Sequence, residues 1–114
     1  MTALETMEFE GESPPRTPND TGNDHLTFKV ATSSRPHLVA GAVAGVIRQG
    51  NSALLQAVGA GAVNQAVKAV IIARGYLNDD GIALVCTPSF LDIQIGDEQR
   101  TAICLNVEAR PPHM

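Results

Sequence analysis

The stretch that decides the fold of this chain is VAGAVAGVIR at residues 39–48, followed after a short gap by QAVGAGAVNQAVKAV at residues 56–70. Both segments consist almost wholly of Val, Ala and Gly, and their apolar residues recur at helical spacing. The first predicts a helix from Pro36 to Gln49. The second predicts a helix that follows the turn Gly59-Ala60-Gly61 and ends at Gly75. Side chains this small indicate two helices that pack close together.

The glycines and alanines of the two segments predict where these helices meet. Gly41 and Gly45 are four residues apart and share one ridge of the first helix. Glycine inside a helix costs about 0.5–1 kcal/mol relative to alanine, so two of them need a reason. We predict that they contact a small-residue stripe on the second helix, formed by Ala62, Ala66, Ala69 and Ala73. The larger side chains of the first helix are expected to face a sheet: Leu38, Val39, Val43, Val46 and Ile47, with Ala42.

The segments outside the helices predict four strands. Leu26–Val30 alternates apolar and polar residues, and Ser52–Val58 forms a second short strand. A third strand begins at Ile82 and meets Pro88, which predicts an edge or a bend there. A hairpin turn at residues 96–99 leads to a return strand over residues 100–108. The order β-α-β-α-β-β predicts an α+β fold, with a mixed four-stranded sheet and two helices on one face.

Charge and composition divide the chain into a tail and a domain. Residues 1–25 carry six carboxylates against Arg16 alone, whereas residues 26–114 carry seven Lys and Arg against six Asp and Glu. Together with the Pro, Gly and Asn of residues 13–24, this predicts a disordered acidic tail over residues 1–24. The folded domain is expected at residues 25–110 and a C-terminal tail at 111–114. A short helix over residues 2–9 is an alternative, and the tail either shields a basic surface or aids solubility.

The bulk composition excludes several classes of protein. Aromatic residues make up 4% of the chain and Trp is absent, so the sequence offers few side chains for stacking bases. The near-neutral domain argues against tight electrostatic binding of duplex DNA. No segment reaches the roughly 18 apolar residues that span a bilayer. The acidic N-terminal residues are unlike a secretory signal. We therefore predict a cytoplasmic protein that does not enter a membrane.

Four short runs closely resemble the stage V sporulation protein S family of small bacterial proteins, which have an Alba-like fold. The resemblance extends over residues 26–110, and its most specific part is the run GAGAVNQA at residues 59–66. It implies a homodimer and a regulatory role in which the protein binds nucleic acid, either RNA or DNA. The other matching runs are Val39–Ala42, Ile72–Tyr76 and Arg100–Ile103.

The resemblance also implies where nucleic acid would bind. In such proteins the loop before the first helix and the hairpin between the last two strands reach towards nucleic acid. The corresponding loop here is residues 33–37, and Ser33 stands where the family commonly has a lysine. The hairpin carries Asp97 and Glu98, which match phosphate poorly. The expected contact set is Arg35, Asn64, Gln65, Lys68 and Arg100.

Structural or solvent-exposed roles are the alternative interpretation of the same residues. Arg35 and Lys68 are also typical of solvated surface positions. Asn64 and Gln65 are compatible with capping a neighbouring loop or with a dimer contact. The turn Gly59-Ala60-Gly61 either holds a phosphate on its backbone N–H groups or is simply a tight turn into the helix.

The chain shows no arrangement of residues that predicts catalysis, a metal or a cofactor. Its three histidines are scattered, and no second ligand stands at metal-binding spacing. If residues 96 and 99 pair in the hairpin, Cys86 lies opposite Ala109 and Cys104 opposite Leu91, so a disulfide is not expected. Both cysteines are predicted to be small core residues. We therefore predict a protein that is not an enzyme.

The sequence supports two functional hypotheses of different kinds. The first is a dimeric regulatory protein that binds nucleic acid weakly, in development or stress. The second is an interaction module that binds a protein partner and no nucleic acid, which the near-neutral domain and the apolar second helix favour. A sensor that binds a small ligand at the Gly59-Ala60-Gly61 turn is a third hypothesis.

Overall fold

The computed structural model describes residues 25–111, so the predicted tail over residues 1–24 and most of the C-terminal tail lie outside the described residues. Six elements follow one another in the predicted order. They are β1 (His25–Val30), α1 (Pro36–Arg48), β2 (Ser52–Ala57), α2 (Ala60–Asn78), β3 (Leu84–Ile95) and β4 (Glu98–Ala109).

The strands form one mixed sheet in the order β1-β2-β4-β3. β1 runs parallel to β2, whereas the β2–β4 and β3–β4 pairs are antiparallel. Side chains of both helices and of one sheet face belong to a single buried cluster, which includes Phe28, Leu55, Val39 and Val43. This confirms the predicted α+β, Alba-like fold. The largest buried side chains apart from Phe28 are aliphatic, in keeping with the composition.

The alanine stripe of α2 is buried as predicted. Ala62, Ala66, Ala69 and Ala73 are each at most 2% exposed. The glycine half of the predicted contact is wrong, because a Cβ added at Gly41 or Gly45 would meet no other atom within 4 Å. Instead, the small residues that α1 buries completely are Ala40 and Ala44, one position before each glycine. A one-residue shift rotates a position by about 100° around a helix, and this moves the glycines off the helix contact.

Two further helix predictions need correction. Leu38, expected to face the sheet, is 48% exposed in the first turn of α1. α2 passes through Gly75 and continues to Asn78, because Leu77 in its last turn is fully buried. Burying a leucine side chain stabilises by roughly 1.5–3 kcal/mol, which exceeds the penalty of about 1 kcal/mol for one glycine. The chain turns at Gly81 instead, whose φ of +75° suits glycine.

The β3–β4 hairpin is longer and tighter than predicted. β3 is continuous through Pro88, which sits on an edge strand where a missing N–H leaves the sheet intact. The turn contains only Gly96 and Asp97, since Ile95 pairs with Glu98. Gly96 has φ +60°, which a two-residue hairpin turn favours.

This shorter turn shifts the predicted register by two residues. Cys86 lies opposite Val107, and Cys104 lies opposite Ser89. The expectation that the two cysteines do not form a disulfide is confirmed, as both are free. Cys104 is buried as expected, but Cys86 is exposed on the edge strand, so its predicted core position is wrong.

The corrected helix contact predicts opposite effects for two substitutions. Gly41→Ala should raise the free energy of unfolding by about 0.5–1 kcal/mol, because the new methyl group meets nothing and the helix backbone loses less entropy. Ala66→Leu should lower it by about 1–3 kcal/mol, because position 66 is fully buried. Urea denaturation of each variant measures both changes. A Gly41→Ala variant as destabilised as Ala66→Leu would mean that the glycine ridge does face α2.

Candidate nucleic-acid interface

The loop between β1 and α1 is closed by one buried serine. The backbone N–H of Ala31 donates to Oγ of Ser34 at 2.8 Å, and the N–H of Ser34 donates to the carbonyl of Ala31 at 3.0 Å. Ser34 is 2% exposed. These two bonds satisfy the polar groups of a tight turn, so Ser33 and Arg35 on either side of Ser34 are directed to the surface.

Arg35 occupies the N-cap of α1, with Pro36 as the first helical residue. Its backbone is extended, and its carbonyl accepts from the N–H groups of Leu38 and Val39, each at 3.1 Å. Its side chain makes no capping hydrogen bond and is exposed. The guanidinium of Arg35 is therefore presented to solvent from a fixed backbone.

Gln65 ties α2 to this loop. Its Nε2 donates to the carbonyl oxygen of Ser34 at 2.8 Å, in a partly buried position. The sequence left open whether Gln65 caps a neighbouring loop or binds a ligand, and this bond supplies the structural role. One turn earlier, a Cβ at Gly61 would lie 3.0 Å from Oγ1 of Thr32, so the backbone of α2 approaches the loop closely there. Gly59, the N-cap of α2, has φ +91°, which favours glycine.

Asn64 and Lys68 are exposed on successive turns of α2. Asn64 borders a groove of about 680 Å³ between the start of α2 and the hairpin. We call it the α2–hairpin groove; its larger lining side chains are Val63, Val67, Phe90, Thr101 and Ile103.

Arg100 lies on the other face of the hairpin. It pairs directly with Ile93 of β3, and directly paired residues share one face of a sheet. Ile93 lines a second cavity of about 460 Å³, together with Lys29, Thr32 and Gln56. We call it the open-face cavity, because Lys29 and Gln56 lie on the sheet face that the helices do not cover. The structure thus places Arg100 near this cavity and away from Asn64.

The charges of the hairpin offset those of the loop. Asp97 lies at the hairpin tip beside Glu98, and Asp92 accepts a hydrogen bond from Oγ1 of Thr101 at 3.1 Å. At the far end of the helices, Nε of Arg48 lies 2.7 Å from Oδ2 of Asp80 in an exposed ion pair. The described residues therefore offer single cations rather than a continuous basic patch.

Some exposed or cavity-lining residues were not among the site residues predicted from the sequence. Phe90 is 79% exposed and Ile71 61% exposed, although large apolar side chains are usually buried. Lys29, Gln56 and Ile93 meet at the open-face cavity even though β1 and β3 are opposite edges of the sheet. One available signal was that β1 and β2 each lead into a helix, as in parallel β-α units, where ligands bind beyond the carboxyl ends of the strands.

Both cysteine thiols are partly desolvated. Desolvation raises the pKa of the Cys86 thiol, and also that of Cys104, where a hydrogen bond with Gln56 opposes the effect. A raised pKa keeps a thiol protonated and weakly nucleophilic at neutral pH. Within residues 25–111, no group of three or more His, Cys, Asp or Glu side chains is placed to hold a metal ion. Neither α1 nor α2, the helices of this part of the chain, is long and apolar enough to cross a membrane.

Comparison with known protein families matches residues 26–110 to Stage V sporulation protein S (SpoVS). The match covers nearly all of the described residues and well over half of the chain. The chain therefore belongs to the stage V sporulation protein S family, and the resemblance seen in the sequence is confirmed. The family is one of small sporulation proteins.

Proposed function

We propose that this member of the stage V sporulation protein S family is a dimeric, non-enzymatic regulatory protein of the bacterial cytoplasm that binds nucleic acid weakly. The observation that carries the proposal is the presentation of Arg35. Its loop is held by Ser34 and by the hydrogen bond from Gln65, so a cation stands at a helix N-terminus on a preorganised backbone. A fixed cation beside helix N–H groups suits phosphate.

The proposed contact set is divided between two sides of the sheet. Arg35 and Gln65 belong to the loop junction and Lys68 and Asn64 to α2, whereas Arg100 lies on the open face of the hairpin. These cations are few and isolated, so only a few counterions are released on binding. We therefore favour RNA or single strands over coating of duplex DNA as the target.

Removing two of these cations should weaken binding in a way that salt reveals. We expect the double variant R35Q/R100Q to bind labelled single-stranded RNA more weakly, with a slope of log K against log salt reduced by about 1.4, since each phosphate contact on a single strand contributes about 0.7. Fluorescence polarisation across a salt series measures this slope. Arg110→Gln, a charge removal beyond the end of β4, is the matched control and should leave the slope unchanged. A double variant with the slope of the wild type would contradict the contact set.

Gln65 should act mainly by holding the loop. Gln65→Leu removes the donor to the Ser34 carbonyl, and we expect a loss of about 1 kcal/mol in the free energy of unfolding together with weaker RNA binding. Asn64→Leu, at the neighbouring exposed amide, should leave stability within about 0.5 kcal/mol of the wild type. Thermal melting and polarisation, measured on both variants, separate the two effects. An unchanged melting temperature for Gln65→Leu would show that the bond does not hold the loop.

The α2–hairpin groove supports the dimer. Val67 and Phe90 line the groove, and Ile71 lies one turn beyond Val67 on α2. These three side chains are between 41% and 79% exposed, although isolated soluble domains rarely leave such side chains together at the surface. The same patch from a second copy offers an apolar partner around a two-fold axis, as closed homodimers require.

Charge in this patch should dissociate the dimer. Phe90→Glu and Ile71→Glu should each shift the protein towards the mass of one chain in sedimentation equilibrium, because a carboxylate would be buried between the subunits. Leu38→Glu is the matched control: Leu38 is 48% exposed at the start of α1, outside this groove. If the Phe90→Glu and Ile71→Glu variants keep the mass of the wild type, the subunits do not meet at this groove.

A protein partner is the second candidate, and the same exposed Phe90 favours it. If another protein covers the groove, the purified chain remains a monomer, and a partner is recovered equally well before and after nuclease treatment. Recovery that is lost on Phe90→Glu and kept on Arg35→Gln would identify the groove as the docking surface.

A further inference from the structure

The open face of the sheet, on the side away from the helices, carries an apolar strip at its hairpin end. Its members on β3 are Leu91, Ile93 and Ile95. Ile93 and Ile95 line the open-face cavity, and Leu91 alternates with them along the strand. Leu91 is 39% exposed and Ile95 48% exposed, whereas Ala102, opposite Leu91, is fully buried. A sheet face that only water covers is usually polar, so this strip indicates a contact surface.

The middle of the same face is also poorly hydrated. Thr27 of β1 and Cys104 of β4 lie on it, and they are 8% and 3% exposed. Their sequence neighbours Phe28 and Leu105 belong to the core cluster, and successive residues of a strand point to opposite faces. The open face therefore has small, buried side chains at its centre and the larger side chains of the hairpin at one side.

The open-face cavity is large enough to receive apolar side chains. It lies at the carboxyl ends of β1 and β2, where Val30 and Val58 line it, and the hairpin contributes Ile93 and Ile95. Its volume is about 460 Å³, which lies in the range of pockets that hold one small ligand. No carboxylate lines it.

The chain itself contains a segment of matching pattern. Residues 1–24 precede β1, which is an edge strand of the sheet. Within them Met7 and Phe9 alternate with Glu8 and Glu10. Alternation of this kind allows a segment to bury its apolar side chains on one side and to keep its carboxylates in water on the other.

This segment is long enough to reach the cavity from the same chain. β1 begins at His25, at the end of the strand opposite the cavity, and its 6 residues span about 20 Å. Residues 11–24 reach at most about 46 Å when fully extended. They can therefore return along the open face and bring residues 7–9 to the cavity.

Charge contributes less than apolar contact. Arg100 pairs with Ile93 and shares its face, so it lies where the carboxylates of residues 1–24 would approach. Glu98, which pairs with Ile95, lies on the same face and opposes the attraction. Exposed ion pairs also stabilise little. Burial of Met7 and Phe9 is therefore the main driving force for such a contact.

We propose that residues 1–12 dock on the open face of the same chain, with Met7 and Phe9 in the open-face cavity. The docked residues cover Arg100 and so withhold it from nucleic acid. This last consequence rests on the proposed function, whereas the docking itself is independent of it.

Photocross-linking in the purified full-length chain tests the docking directly. The photoreactive residue p-benzoyl-L-phenylalanine replaces Ile95 in one variant, Leu91 in a second and Phe90 in a third. Positions 95 and 91 lie on the open face, whereas Phe90 borders the α2–hairpin groove on the opposite face. We expect mass spectrometry to find residues 1–12 cross-linked to position 95 or 91 and not to position 90. Absence of this cross-link from both open-face positions, or an equal yield from position 90, would overturn the proposal.

Two double variants that add the same charge test the burial of Met7 and Phe9. M7D/F9D, made in the cross-linking variants, should lower the yield at least about tenfold, because two carboxylates would enter an apolar cavity. T2D/T6D adds the same two carboxylates without removing an apolar side chain, and it should leave the yield largely unchanged. Equal losses in the two double variants would contradict burial of Met7 and Phe9.

A mixture of isotope-labelled and unlabelled chains identifies which copy supplies the docked residues. We expect cross-linked peptide pairs in which both members carry the same label. Pairs of mixed label would mean that residues 1–12 of a second copy occupy the open face, and they would refute docking within one chain.

The consequence for RNA is measured separately, by fluorescence polarisation. If the docked residues cover Arg100, M7D/F9D should bind labelled single-stranded RNA more tightly than the equally charged T2D/T6D, and Arg100→Gln should remove the difference. Equal RNA binding by the two double variants, with the cross-link present in the parent chain, would support docking and refute only the role of Arg100. A difference in RNA binding without a cross-link would refute docking and leave the nucleic-acid interface standing.

Discussion

The close approach of α1 and α2 is the constraint on which the rest of this structure depends. The alanine stripe of α2 is at most 2% exposed, and Ala40 and Ala44 of α1 are fully buried. α1 contacts α2 more extensively than either helix contacts any one strand. Larger residues fill the layer between helices and sheet, where Phe28, Leu55 and Val39 are buried. Small residues thus hold the helices together and large ones hold them to the sheet.

This packing places the first turns of α2 against the β1–α1 loop. Gly61 then meets Thr32 with no room for a longer side chain, and Gln65 reaches the carbonyl of Ser34. The run GAGAVNQA, the most specific part of the family resemblance, contains both residues. Its glycines and its glutamine therefore have structural explanations at a junction that also displays Arg35. A structural role of these residues is compatible with the proposed role of Arg35 in binding, because α2 fixes the loop that carries the Arg35 side chain.

The sequence predicted the element order and the buried alanines, because apolar periodicity depends on burial alone. Predictions from the sequence were wrong where the local structure depends on packing against segments that are distant in the chain. Gly41 and Gly45 share a ridge, but the rotation of α1 is set by Val39, Val43 and the alanines beside them. The end of α2 was misplaced because burial of Leu77 by other elements cannot be seen within the segment. Of the candidate contacts, the sequence could not separate Arg100 from Asn64, because tertiary packing decides which face of the hairpin lies beside α2.

The two faces of the hairpin border different surfaces of the molecule. Alternate side chains of a strand point to opposite faces, so Phe90, Thr101 and Ile103 border the groove beside α2, while Ile93 and Arg100 belong to the open face. A second subunit seated on the groove would cover the apolar side and leave the other side accessible. In the proposed dimer, subunit contact at the groove would also hold the hairpin in place. Because Ile93 and Ile95 of the hairpin line the open-face cavity, the same contact would fix the wall of that cavity that comes from the opposite edge of the sheet.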